Sequence, residues 1–393
     1  MYKHSFVTRR SAVKFTCGML AAAVGAVATS KLIDINYPIQ AQENSDREFP
    51  VSGEASLKER AAAKGLIYGA AIQYSQLSSD QELANKVKRE CRMLVPEWEL
   101  KWSVGGEPLR PSPDNFNFSR ADWMVNFAKT NGLLLRGHTL VWHESLPPWF
   151  KSSVNSKNAH YFLEKHIKSV VGRYSGKIHS WDVVNEAIYP SDNRHDGLRG
   201  TPWLELLGID YIDLAFRLAA KYDPKALLVY NDYGLDYDTP NDEAKRTAVL
   251  KLLERLKSKG TPIHALGIQA HLLPGNHRFN SQKLRQFLAD VASLGLKIMI
   301  TEMDVADKNL PVDIVKRDRI IAAAYEDYLS TALDERAVIA VITWGLSDRY
   351  TWLSEFQPRA DKASVRPLPF DHQMQPKLAW NAIARAFDNA PKR

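Results

Sequence analysis

The chain has 393 residues, 45% hydrophobic and 25% charged, which is ample for a full core, and a formal charge of +7. Residues 1–44 hold five Lys/Arg against two Asp/Glu, so the remainder carries only +4. With no Lys/Arg run beyond two or three residues, that excludes an electrostatic case for nucleic acid as partner. Ten Trp and fifteen Tyr suit sugar or aromatic ligands as well as core filling.

In chain order, Thr8-Arg9-Arg10-Ser11-Ala12-Val13-Lys14 leads into a mildly apolar stretch, Phe15 to Ala28. That stretch is too short and too rich in Ala and Gly for a membrane span. The paired arginines resemble a twin-arginine export signal, although Ala12 stands where Phe is usual. An N-terminal anchor helix that stays attached is the alternative. The expected division is an export signal and lead-in over 1–44 and one catalytic domain over 45–393, exported to a periplasm or beyond, with no membrane partner once the signal is removed. Cleavage after Ala28 or after Ala41 would leave Cys91 as the lone cysteine, hence no intramolecular disulfide. Residues 42–56 are polar and read as a flexible lead-in.

From Leu57 one rhythm repeats. Apolar runs at Leu66–Ile72, Met93–Leu100, Leu133–Trp142, Ile178–Ile188, Ala226–Tyr233, Ala265–Leu272, Lys297–Val305 and Val338–Leu346 predict eight strands. Segments with helical spacing lie between them; Leu284, Phe287, Leu288 and Val291 form an i, i+3, i+4, i+7 stripe. Strands buried on both faces and alternating with helices imply a parallel sheet. Eight such units predict the α/β class and a single (β/α)8 TIM barrel. An open doubly wound sheet competes, but Gly65-Leu-Ile-Tyr-Gly69 is not a phosphate-binding turn.

A barrel of this kind carries its active site at the C-terminal strand ends. Those ends hold Glu97, Trp98 and Lys101; His138, Trp142 and His143; Asn185 and Glu186; Asn231, Asp232 and Tyr233; Gln269 and His271; Glu302 and Asp304; and Trp344. Glu186 and Glu302, on the fourth and seventh runs, would face one another across the mouth. Two such carboxylates are what glycoside hydrolysis requires, and opposite pKa shifts would separate their roles. Salt-bridged rim residues are the bland alternative for each. Metal chemistry lacks support: on a regular strand His138 and His143 point to opposite faces, and Glu302 with Asp304 finds no third ligand at suitable spacing. No metal and no cofactor are expected. A Gly-x-Ser-x-Gly elbow is missing, which removes Ser-His-Asp chemistry.

Five motifs then stand in order: Gly137-His-Thr-Leu-Val-Trp-His143, Trp181-Asp-Val-Val-Asn-Glu186, Gly267-Ile-Gln-Ala-His271, Ile300-Thr-Glu-Met-Asp304 and Thr343-Trp-Gly-Leu-Ser-Asp348. Together they resemble the signatures of glycoside hydrolase family 10, mostly endo-β-1,4-xylanases, from about Leu57 to Phe387. The resemblance implies retaining double displacement on a polysaccharide or oligosaccharide, with Glu186 as acid/base and Glu302 as nucleophile. It implies that Asn185 binds the sugar 2-hydroxyl and that His271, backed by Asp304, orients Glu302. Glu97, Lys101, His138 and Gln269 would line the sugar site, and Trp142, Trp344 and Trp352 would wall it.

Two departures bear on the second sugar of the non-reducing side. The family's usual Glu-Asn-x-Met-Lys reads Glu97-Trp98-Glu99-Leu100-Lys101 here, and its Ser-Gln after Trp-His reads Glu144-Ser145. Gly234 also replaces a common Asn. An indole for an amide removes hydrogen bonds and adds bulk, so this subsite is expected to be altered at Trp98 and Ser145. Shifted specificity toward decorated or non-xylan glycans, or aryl β-glycosides, follows as one alternative; a carbohydrate-binding protein without turnover is another. Oligomeric state is not readable from the sequence.

Overall fold

A computed structural model describes residues 46–104 and 108–393; the export-signal segment and its proposed cleavage sites lie outside the described residues. The strands are β1 (Ile67–Ile72), β2 (Met93–Pro96), β3 (Leu134–Gly137), β4 (Ser180–Asn185), β5 (Leu227–Asp232), β6 (Ala265–Ile268), β7 (His271–Leu272), β8 (Lys297–Val305) and β9 (Val338–Thr343). All pair in parallel. β1 bonds to both β2 and β9, and β6 bonds to β8, so eight strands close a ring. The ninth, β7, is a two-residue addition pairing His271 with Asp304 and Leu272 with Val305. This is the predicted (β/α)8 barrel.

The hydrogen-bonded ladders are shorter than the apolar runs. β2 stops at Pro96 and β3 at Gly137, so Glu97 to Lys101 lie in the loop above the barrel, and His138 to His143 lie beyond the regular strand, rejoined to β4 by a bridge at Val141. The argument that placed His138 and His143 on opposite faces of a regular strand therefore fails.

Two layers of core set the barrel. Alternate residues such as Met93 and Val95, with Val229, Met299 and Ile342, fill its inside. Their neighbours pack outward against helices, as the period of two requires. Gly137 has a steric reason: a Cβ there would lie 2.1 Å from the Trp181 ring, which fills the space.

Residues 46–56 are not a loose lead-in. Arg47 pairs with Glu326 and Asp327 on the helix Ile314–Ala332, Phe49 is 2% exposed, and Asn381 donates to the Phe49 carbonyl at 3.0 Å. Ser56 and Glu59 cap the helix Leu57–Ala62 reciprocally. At the other end, the Arg393 amide donates to the Lys64 carbonyl at 3.0 Å, tying the chain's end to the foot of β1. Among the described residues no helix is long and apolar enough to cross a membrane.

Candidate active site

Glu186 directly follows β4 and Glu302 lies in the C-terminal half of β8; both are about 5% exposed, and amides join them. Asn231, the penultimate residue of β5, donates through Nδ2 to Glu302 Oε1 at 2.7 Å and to Asn185 Oδ1 at 2.8 Å. Asn185 Nδ2 in turn donates to Glu186 Oε1 at 3.1 Å, and Gln269 Nε2 donates to the same oxygen at 3.0 Å. Asn231 is held by Thr301, whose Oγ1 donates to Oδ1 at 2.7 Å, and fits because its neighbour across the ladder is Gly267, where a Cβ would lie 2.3 Å from Oδ1.

The two carboxylates live in different fields. Around Glu302 stand cationic and imidazole groups: His271 Nε2 at 3.4 Å from Oε2, His138 Nδ1 at 3.9 Å from Oε1, and the Lys101 ammonium nearby. Burial alone would raise this carboxyl, but His138, the His271 hydrogen bond and Lys101 outweigh it and hold it at about 2. Glu186 receives amide donors on Oε1, while Oε2 has no partner within the protein. A carboxylate kept ionised can attack or stabilise positive charge. A carboxyl oxygen left clear of protein donors can exchange a proton with a leaving group.

Each ligand of Glu302 has its own support. Asp304 Oδ1 meets His271 Nδ1 at 2.9 Å, and Asp304 Oδ2 accepts from Trp352 Nε1 at 2.7 Å. Burial opposes protonation of His271, but the carboxylates of Asp304 and Glu302 overcome it and raise its pKa to about 10. Under His138 lies Asp182, 2.8 Å from its Nδ1 and gripped by both terminal nitrogens of the buried Arg136.

Lys101 sits between Trp142 and Trp344, 5.0 and 5.6 Å from their rings. Burial pushes its pKa down, opposed by Glu97, Glu302 and Glu186. Burial pushes the Glu97 carboxyl up to about 7, with Lys101 and Gln73 resisting. Trp344 is buried and stands edge-on to His138, while Trp142 and Trp352 are half-buried. Trp98 is also half-buried and lines a pocket with Glu99, Val104, Leu109, Asn117 and Arg120. Ser145 is fully buried with an unpartnered hydroxyl, so it faces no cleft; the exposed residue is Glu144, which pairs with His143 at 3.2 Å.

The structure thus brings together Glu97, Lys101, His138, Asn185, Glu186, Gln269, His271, Glu302 and Asp304, with Trp142, Trp344 and Trp352 adjoining. The sequence reading placed Asn231 at a strand end without giving it a role, and overlooked Asp182, Arg136, Arg199 and Lys245. Among the described residues no three His, Cys, Asp or Glu are grouped to hold a metal ion.

Known proteins resemble this chain in sequence and in fold. The model of glycosyl hydrolase family 10 matches residues 56–386. A β-1,4-xylanase of Dictyoglomus thermophilum is 36% identical over 77% of this chain and 83% of its own length. Native xylanase 10B from Thermotoga maritima superposes with a TM-score of 0.76 at 33% identity, covering 85% of this chain and 98% of that one. Xylanase 10B from Thermotoga petrophila, solved in complex with xylobiose, gives 0.77 at 32% identity over 86% and 99%.

Proposed function

This chain belongs to glycosyl hydrolase family 10, and on that premise we propose that it is an exported endo-1,4-β-xylanase that hydrolyses xylan-type polysaccharide with retention. The observation that carries the reading is the pair of buried carboxylates at opposite ends of one amide relay, one of them held at about 2. Glu302 attacks the anomeric carbon as Glu186 gives its proton to the departing glycosidic oxygen. Water then displaces Glu302 with Glu186 as base. Asn185, Gln269, Lys101, His138 and Glu97 hold sugar hydroxyls, and Trp142, Trp344 and Trp352 cover the apolar faces of the rings.

Truncating Glu302 to Ala removes the covalent route and is expected to lower kcat on an aryl β-xyloside at least ~10⁴-fold. Activity within ~10-fold of the parent would refute the assignment.

A second element of the reading concerns the next sugar. Trp98 replaces an amide and opens on a pocket that includes Arg120 and Asn117, which supports an altered subsite and a preference for decorated or otherwise non-standard β-glycan. Digestion of unsubstituted xylohexaose, arabinoxylan, glucuronoxylan and mixed-linkage glucan separates the cases. A Trp98→Asn variant with the parent's product profile on all four would remove this element without touching the first.

A further inference from the structure

Glu186 has a backbone that few side chains tolerate. Its φ is +59°, the left-handed region, and it is neither Gly nor Asn. Such a residue persists only where its surroundings over-determine it, so the question is what holds it. Its N–H donates to the Asn231 carbonyl at 2.9 Å. Its carbonyl accepts from Nε of Arg199 at 2.9 Å.

Arg199 lies thirteen positions further on, in the loop before the helix Pro202–Leu207. Its own amide donates to the Ala187 carbonyl at 2.8 Å, so one residue grips two successive carbonyls of the Glu186 turn. Its guanidinium lies 4.4 Å over the Tyr189 ring, and Nη2 donates to the Tyr233 hydroxyl at 2.8 Å. Behind Tyr233 stands Lys245, from the helix Pro240–Ser258, with Nζ 3.5 Å from the ring centroid and 2.7 Å from Asp232 Oδ1. Asp232 Oδ2 accepts from the Tyr230 hydroxyl and, at 3.4 Å, from the Ile188 amide. The contacts close on themselves, from Glu186 through Arg199, Tyr233, Lys245 and Asp232 back to Ile188. Arg199, Lys245 and Asp232 are 9%, 5% and 0% exposed.

We propose that Arg199, braced by Tyr233 and Lys245, is a positioning residue that fixes the left-handed turn of Glu186 and so aims its carboxyl at the glycosidic oxygen. It touches no sugar; it acts through the main chain of the acid/base. The inference rests on the role proposed for Glu186. It also has an electrostatic side. Arg199 and Lys245 carry two positive charges against one on Asp232, and both interact with the Glu186 carboxylate. The Lys101 ammonium after β2 and the Tyr233 phenol after β5 also interact with the Glu186 carboxyl. Loss of Arg199 removes one of the two positive charges behind the Glu186 turn.

The test uses leaving groups. A dinitrophenyl β-xyloside departs without protonation, whereas a phenyl β-xyloside needs the acid, and kcat/KM reports only steps through glycosylation. Arg199→Met is expected to lower kcat/KM ~100-fold on the phenyl substrate and under ~5-fold on the dinitrophenyl one, within the usual worth of a positioned acid. Arg199→Lys recovers part of the loss, and Tyr233→Phe, which keeps the charge and removes one brace, loses ~3- to 10-fold with the same substrate bias. Equal losses on both substrates overturn the inference. Should Arg199→Met fail to fold, Tyr233→Phe decides alone. Glu186→Ala serves as control: if it lacks the leaving-group bias, the role of Glu186 is wrong; if it shows the bias and the Arg199 variants do not, only the role of Arg199 is.

Discussion

Two imidazoles in this molecule, one half-buried and one fully buried, are driven in opposite directions. His271 lies between Asp304 and Glu302, and those carboxylates overcome burial to raise its pKa to about 10. His166, on the helix Ala159–Arg173, is stacked on Trp102 at 3.8 Å, and both ring nitrogens lack partners. Burial there, aided by the Arg110 guanidinium that rests on the same aromatic group, drives its pKa well down. His166 is fully buried and His271 only partly so, but the direction is set by their neighbours: carboxylates surround one ring and aromatic rings the other. The first site keeps a charge available for chemistry, and the second excludes it.

The largest effect expected from breaking this contrast is at His271. Replacement by Ala removes a hydrogen bond and a positive charge from Glu302, leaving burial less opposed. A fall in kcat/KM of ~100-fold or more is expected, with the acid limb of the pH profile moving upward as Glu302 becomes easier to protonate. A variant whose acid limb matches the parent's would show that His271 does not hold Glu302 ionised. The same raised histidine affects stability. Because its folded pKa exceeds the unfolded value of ~6.5, its contribution is complete below that pH and disappears as pH rises through about 10.

The opposite sign holds for His166. Its folded pKa is depressed, so the unfolded chain binds a proton that the folded one refuses. Stability is full above the unfolded value of ~6.5 and falls by about 1.4 kcal/mol for each pH unit below it, until the folded pKa is reached. His166→Phe keeps the stack and removes the titration. Urea unfolding at pH 7.5 and 4.5 should show the parent losing more stability than the variant between the two. Equal losses would mean that the ring finds a proton or a partner in the folded state.

How legible these features were in the sequence follows from the same physics. The barrel and the strand-end residues were readable because runs buried on both faces stay apolar until they reach the mouth, where Glu97, Asn185, Glu302 and their neighbours break the pattern. The boundaries were readable only loosely. Leu346 is buried after the β9 ladder has ended, so apolarity overshoots the regular strand. Residues 46–56 misled because a polar stretch can still be tied down by Arg47 and Phe49, contacts more than 270 positions away. Arg199 and Lys245 left no local signal. One is in a loop and the other on a helix whose other lysines, Lys251 and Lys257, are exposed, and only the fold shows which lysine turns inward. Asn231 gave half a signal: its place at a strand end was clear, but its two acceptors come from β4 and β8 and are visible only in three dimensions.

The smallest effect expected is at Glu97, which lies between the two imidazole cases. Burial pushes its carboxyl to about 7, with Lys101 and Gln73 resisting and Glu99 and Glu302 adding to the rise. It is therefore neutral below pH 7 and charged above, unlike Glu302, which is charged throughout the working range. A carboxylate accepts hydrogen bonds from sugar hydroxyls more strongly than a neutral acid does, because charge-assisted bonds are about twice as strong. KM on a xylo-oligosaccharide is accordingly expected to fall ~2- to 5-fold between pH 6 and pH 8, with kcat nearly level because Glu97 is distinct from the reacting pair. Glu97→Gln fixes the group in a neutral form, so the step in KM should vanish and the pH 6 value should persist to pH 8. A variant that keeps the step would assign it to another group, with Lys101 the next to be tested, since burial lowers its pKa too.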